Sequence, residues 1–136
     1  MIFLFLPPFY ILDTMAKILL AEDDLFIRDI YTEILQSEKY EVTPATDGEE
    51  ALNLIKQGGW DIILLDMMMP KKTGLEVLSE VKALNNRSLT KHILIMTNNE
   101  ETKELDEFKD MYDDYILKSA ITPGELLTKV KHFLNN

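Results

Sequence analysis

Asp66 closes the apolar run Ile62-Ile63-Leu64-Leu65, and Glu22-Asp23-Asp24 closes a second run, Ile18-Leu19-Leu20-Ala21. If both runs are buried strands of one parallel sheet, their carboxylates emerge at the same edge, where open α/β sheets bind ligands. Carboxylates that converge without a local counter-charge raise one another's pKa and are suited to a hard divalent cation with oxygen ligands. The cluster predicts a Mg²⁺ site. Taken singly, such residues have blander uses: an acidic run often serves a helix N-terminus, the role expected of Asp24, and a lone Asp after a strand is commonly a cap.

Five βα units are predicted to place these groups, because short apolar runs alternate with amphipathic helical patterns from Lys17 onward. The candidate strands are Lys17 to Ala21, Tyr40 to Ala45, Asp61 to Leu65, His92 to Thr97 and Asp114 to Leu117. Helical spacing appears at Ile27, Ile30, Tyr31, Ile34 and Leu35, at Val77, Leu78, Val81 and Leu84, and at Leu126, Leu127, Val130, Phe133 and Leu134. Asp47 with Glu50, Thr73 with Glu76, and Thr122 with Glu125 each set a capping side chain three residues before a Glu, with Pro123 at the first helical position. Gly58-Gly59 is expected to end the second helix. Pro44 marks the second strand as an edge strand, since proline cannot donate to a ladder. That agrees with a doubly wound five-stranded parallel sheet of order 2-1-3-4-5.

With 136 residues, 46% hydrophobic and 28% charged, the chain suits one soluble globular domain. The lack of cysteine removes disulfides and thiolate chemistry and suits a cytoplasmic location. A formal charge of −10 argues against direct nucleic-acid binding. Residues 1–15 read as an apolar leader, disordered or loosely packed, and residues 16–136 as the folded domain. The leader is apolar but split by Pro7-Pro8, lacks a basic start, and is shorter than the roughly 20 residues of a membrane span. Met15-Ala16-Lys17 resembles a more natural start. His92 and His132 are expected at the surface or a strand end, without a ligand role, and Met67-Met68-Met69 mainly in packing.

Four segments, in order and each at a strand end, resemble the receiver domain of bacterial response regulators, the CheY-like superfamily with its flavodoxin-like fold. They are Lys17-Ile-Leu-Leu-Ala-Glu-Asp-Asp24, Asp61-Ile-Ile-Leu-Leu-Asp-Met-Met-Met-Pro-Lys-Lys-Thr-Gly74, Ile93-Leu-Ile-Met-Thr97 and Tyr115-Ile-Leu-Lys118. The resemblance implies that Asp66 is a phosphoacceptor served by a sensor histidine kinase or phosphotransfer protein, and that the chain catalyses only its own phosphorylation and dephosphorylation. It further implies that Asp23 and Asp66 ligate Mg²⁺ directly, Glu22 through water, and Met68 through its backbone carbonyl. Lys118 and Thr97 would hold the phosphoryl group. Thr97 and Tyr115 would form a switch that remodels the face of the fourth helix, fifth strand and fifth helix, where a downstream protein docks.

Three residues depart from the family pattern. Ser119 stands where proline is usual after Lys118, which bears on the usual cis peptide there; Asn98 replaces a small residue beside the entrance to Asp66; and Met68 puts an apolar side chain beside the path of an attacking water. The expected function is a single-domain response regulator of two-component signalling. Its rival is a receiver-like interaction module that works without phosphorylation. A Mg²⁺-dependent phosphatase fits less well, because Met68 occupies the place where such an enzyme needs an acid.

Overall fold

The computed structural model describes residues 15–98 and 103–135. Of the leader, residues 1–14 lie outside the described residues, and Met15 is exposed. Five parallel strands, β1 (Lys17–Ala21), β2 (Glu41–Ala45), β3 (Trp60–Asp66), β4 (Thr90–Thr97) and β5 (Asp114–Leu117), form one sheet of order β2-β1-β3-β4-β5. The α-helices are α1 (Leu25–Gln36), α2 (Gly48–Gln57), α3 (Gly74–Leu84) and α4 (Pro123–Leu134). Between β4 and β5 the connection carries a 3₁₀ helix, Lys103–Phe108, which buries only Leu105. A segment with so little apolar surface gains little from tertiary packing, and short pieces of this kind take 3₁₀ form.

Alternation along the strands divides the core in two. Leu19, Ala21, Ile63, Leu65, Ile93 and Ile95 face α2 and α3, while Ile18, Leu20, Ile62, Leu64, Leu94 and Met96 face α1 and α4. Residues on both faces are buried, so the strands read as continuous apolar runs. β2 is an edge strand, as Pro44 predicted. β3 and β4 start earlier than the apolar pattern suggested, because Trp60 pairs with Thr90 and its N–H donates to Leu89 O (3.1 Å). Backbone pairing is independent of side-chain polarity.

The helix starts follow the sequence. Asp24 caps α1 by accepting from the Ile27 N–H, and Thr73 and Thr122 form full capping boxes with Glu76 and Glu125. At α2, Asp47 accepts from the Glu50 N–H, but the Glu50 carboxylate reaches back to the Thr46 N–H (2.7 Å) instead of to Asp47. Gly58 and Gly59, at φ 73° and 82°, end α2 in the left-handed region that the paired glycines permit.

Candidate functional site

The register assembles the site. Ala21 pairs with Leu65, Asp66 with Met96, and Thr97 with Leu117, so the ends of four adjacent strands deliver Glu22, Asp66, Thr97 and Lys118 to one edge. Neighbouring strands lie about 4.8 Å apart, which brings such groups within bonding range. Glu22, Asp66 and Thr97 are the polar or charged residues buried among the described ones.

The Lys118 ammonium stands 2.8 Å from Glu22 Oε1 and donates to Asp66 Oδ2 at 3.0 Å. Asp66 Oδ1 accepts the Met68 N–H (3.2 Å), and Glu22 Oε2 accepts the Asp24 N–H (3.1 Å). Burial pushes the Glu22 carboxyl above its ordinary pKa, and the neighbouring Asp66 adds to this against the opposing pull of Lys118 and the Asp24 N–H. For Lys118, burial works against the ammonium, but Glu22 and Asp66 together outweigh it and hold its pKa above the usual lysine value.

Glu22, Asp23 and Asp66 each offer a carboxylate oxygen, all within 4.8 Å of one another. Glu22 Oε1 is buried and, despite its 2.8 Å ion pair, has no aligned hydrogen-bond partner. A buried carboxylate oxygen beside two further carboxylates fits a hard oxygen-seeking cation. Asp23 is exposed, so the cluster reaches solvent on its side.

The other expected residues take varied places. Met68 is 73% exposed, whereas Met69 is buried and Met67 packs against the core, so the packing expected of the run fails for Met68. Asn98 is exposed just beyond Thr97, and Tyr115 is 40% exposed on edge strand β5. The Lys118–Ser119 peptide is trans, as are the other described peptide bonds. His92 does have a carboxylate neighbour, Asp113, whose Oδ2 lies 3.4 Å from Nδ1; the fold brings this pair together across a sequence gap that spacing could not reveal. His92 also lies against Phe133, which His132 meets edge-on.

Two features escaped the sequence reading. Gly74 lies so close to the end of β3 that a Cβ there would stand 2.6 Å from Asp66 O and 2.8 Å from Met67 Cα. Its place in the Asp61–Gly74 motif was the available signal. Arg28 donates from Nη1 to the carbonyls of Glu22 (2.9 Å) and Asp23 (3.2 Å). The only hint was that long helical side chains lean toward the helix start.

The family model for the response regulator receiver domain matches residues 18–131. The chain belongs to this family. The receiver domain is 33% identical to the transcriptional regulatory protein ResD of Bacillus subtilis over 88% of this chain and 48% of that protein. It thus spans about half the length of the curated relatives it matches. It superposes on the chemotaxis response regulator CheY4 of Vibrio cholerae with a TM-score of 0.77 at 31% identity, covering 88% of this chain and 99% of that one. The response regulator TrrA of Thermotoga maritima, solved in complex with Mg²⁺ and BeF, matches with a TM-score of 0.74 at 34% identity, covering 88% and 99%. Receiver domains are signalling modules of two-component systems rather than classical enzymes; they bind Mg²⁺ at an acidic pocket and interact with histidine kinases and downstream targets. Among the described residues no helix is long and apolar enough to cross a membrane.

Proposed function

We propose that this receiver domain accepts a phosphoryl group on Asp66 from a histidine kinase or phosphotransfer protein in a Mg²⁺-dependent, cytoplasmic reaction, and passes the signal on by docking a downstream protein. The observation that carries this reading is the convergence of Asp66 with Glu22, Asp23 and Lys118 at the carboxyl edge of the sheet. A carboxylate oxygen of Asp66 attacks phosphorus, the bond from phosphorus to the donor imidazole breaks, and the electron pair leaves with the imidazole. Asp66 is left as an acyl phosphate. Asp23, Asp66 and the Met68 carbonyl would hold Mg²⁺ directly and Glu22 through water, and the ion would supply positive charge for the transferring phosphoryl group.

Lys118 already touches an Asp66 oxygen, which supports its role as the partner of an incoming phosphoryl oxygen. The Thr97 hydroxyl, at the buried end of β4, would supply a further bond to the phosphoryl group. Thr97 and Tyr115 would form the switch; support comes from the partial exposure of Tyr115 beside an open groove of about 640 Å³, lined by Tyr115, Ala120, Ile121, Glu125 and Lys129 between β5 and α4. Met68 and Asn98, both exposed, would control access to the phosphoryl group. The name and length of ResD support a transcriptional output exerted through residues or partners beyond this domain.

Incubation with acetyl phosphate and Mg²⁺ should give an acid-stable, base-labile adduct that is absent in EDTA and in Asp66→Ala. Equal labelling of Asp66→Ala would remove Asp66 from its role. A wild-type protein that never labels would favour the phosphorylation-independent interaction module, the reading that Ser119 and Asn98 raise.

A further inference from the structure

Arg28 binds the backbone of the whole acidic triplet. Its N–H donates to Asp24 O (2.9 Å) as the first bond of α1, while its Nη1 donates to Glu22 O (2.9 Å) and Asp23 O (3.2 Å). The Asp23–Asp24 peptide is therefore held at both ends: its carbonyl by the guanidinium, and its N–H by Glu22 Oε2 at 3.1 Å. A peptide is planar, so fixing the direction of the carbonyl fixes the opposite direction of the N–H. A carbonyl engaged by a cation also polarises its own amide and makes that N–H a better donor. With Oε2 tied in this way, Oε1 is left as the Glu22 oxygen that pairs with Lys118, whose ammonium also contacts Asp66.

We propose that Arg28 is a positioning residue for the cation site: acting through the Asp23–Asp24 peptide, it orients the Glu22 carboxylate and sets the loop that carries Asp23. This rests on the Mg²⁺ reading of the cluster. Arg28 exerts two opposite effects on a bound cation. Its charge repels the metal, whereas its hydrogen bonds preorganise the ligands. Groups that orient metal ligands commonly contribute 10- to 100-fold in metal affinity, and a partly solvated charge is screened, so the orienting effect dominates.

Arg28→Lys keeps the charge on a side chain one bond shorter, and Arg28→Met removes both charge and clamp. Binding of Mn²⁺, followed by electron paramagnetic resonance at low temperature on protein with wild-type circular dichroism, should weaken by about tenfold or more in both variants. In the metal-free protein the Asp24 amide proton resonance should move upfield as its bond to Glu22 loosens. A general loss of stability would not move either readout under conditions where the fold is intact. Affinity within about twofold of wild type in both variants, far below the range for such groups, would overturn the proposal. So would tighter binding by Arg28→Met, which would show that charge alone acts. If the wild-type protein takes up no Mn²⁺, the metal reading falls and takes this proposal with it; if only the variants match wild type, the metal reading stands and the proposal alone falls.

Discussion

The Lys118 ammonium lies 2.8 Å from Glu22 Oε1, in contact with one of the three carboxylates of the candidate cation site. With 7% exposure for the Lys118 side chain and none for Glu22, the pair is effectively dry. Removing one partner of a buried pair leaves the other charge uncompensated, at a cost of about 3 kcal/mol or more. Lys118→Met is therefore expected to lower the melting temperature of the metal-free protein. Because it also removes a like charge beside the metal, Mg²⁺ should raise the melting temperature of the variant more than that of wild type. Thermal unfolding with and without Mg²⁺ measures both effects, and an equal or smaller Mg²⁺ increment in the variant would contradict the arrangement.

Gly74→Ala tests the close approach of α3 to the end of β3. Alanine gains about 1 kcal/mol in helix propensity over glycine. Against this, its Cβ would meet backbone atoms at 2.6 and 2.8 Å, which cannot rotate away as a side chain could. Overpacking of this sort costs about 1–3 kcal/mol, so the variant should be less stable in urea unfolding and should take up phosphoryl groups more slowly, because the displaced carbonyl belongs to Asp66. Unchanged stability and labelling would show that the loop yields freely.

Acid sensitivity should arise in part at the helix caps. Hydrogen bonds with Thr73 hold Glu76 below the usual glutamate pKa, and those with Thr122 do the same for Glu125. A carboxylate whose pKa is lowered on folding adds stability above its unfolded pKa and loses it as pH falls through the folded value. Stability should thus decline on going from about pH 5 to about pH 3, and the decline should be shallower in the double variant Glu76→Gln, Glu125→Gln, since glutamine can accept the same bond without titrating. Urea midpoints across that range measure the slope; parallel curves for the two proteins would exclude the caps as a source.

Met68→Asn addresses the lifetime of the phosphorylated form. Met68 is 73% exposed two residues after Asp66, the proposed phosphoacceptor, and its side chain offers no strong hydrogen bond to an incoming water. Asparagine can donate and accept, and one orienting bond of about 1 kcal/mol corresponds to roughly fivefold in rate. Decay after removal of the phosphodonor, at constant Mg²⁺, should quicken by about that factor. A slower or unchanged decay would show that this side chain does not limit hydrolysis.

The sequence by itself determined the sheet order, the helix starts and the set of groups at the strand ends. These depend on local rules: continuous apolar runs mark strands buried on both faces, Pro44 confines β2 to an edge, and Thr73 and Thr122 announce their helices. Relations across elements were hidden. Nothing in the chain told that Lys118 reaches Glu22 as well as Asp66, that His92 meets Asp113, that Gly74 leaves no room for a Cβ, or that Arg28 turns back onto the acidic triplet. The 3₁₀ helix between β4 and β5 was equally unread, because its form depends on how little of it the core accepts. Side-chain polarity and spacing record which face a residue buries, whereas the direction of a carbonyl, an ammonium or a missing Cβ is settled only when neighbouring strands and helices come within bonding distance of one another.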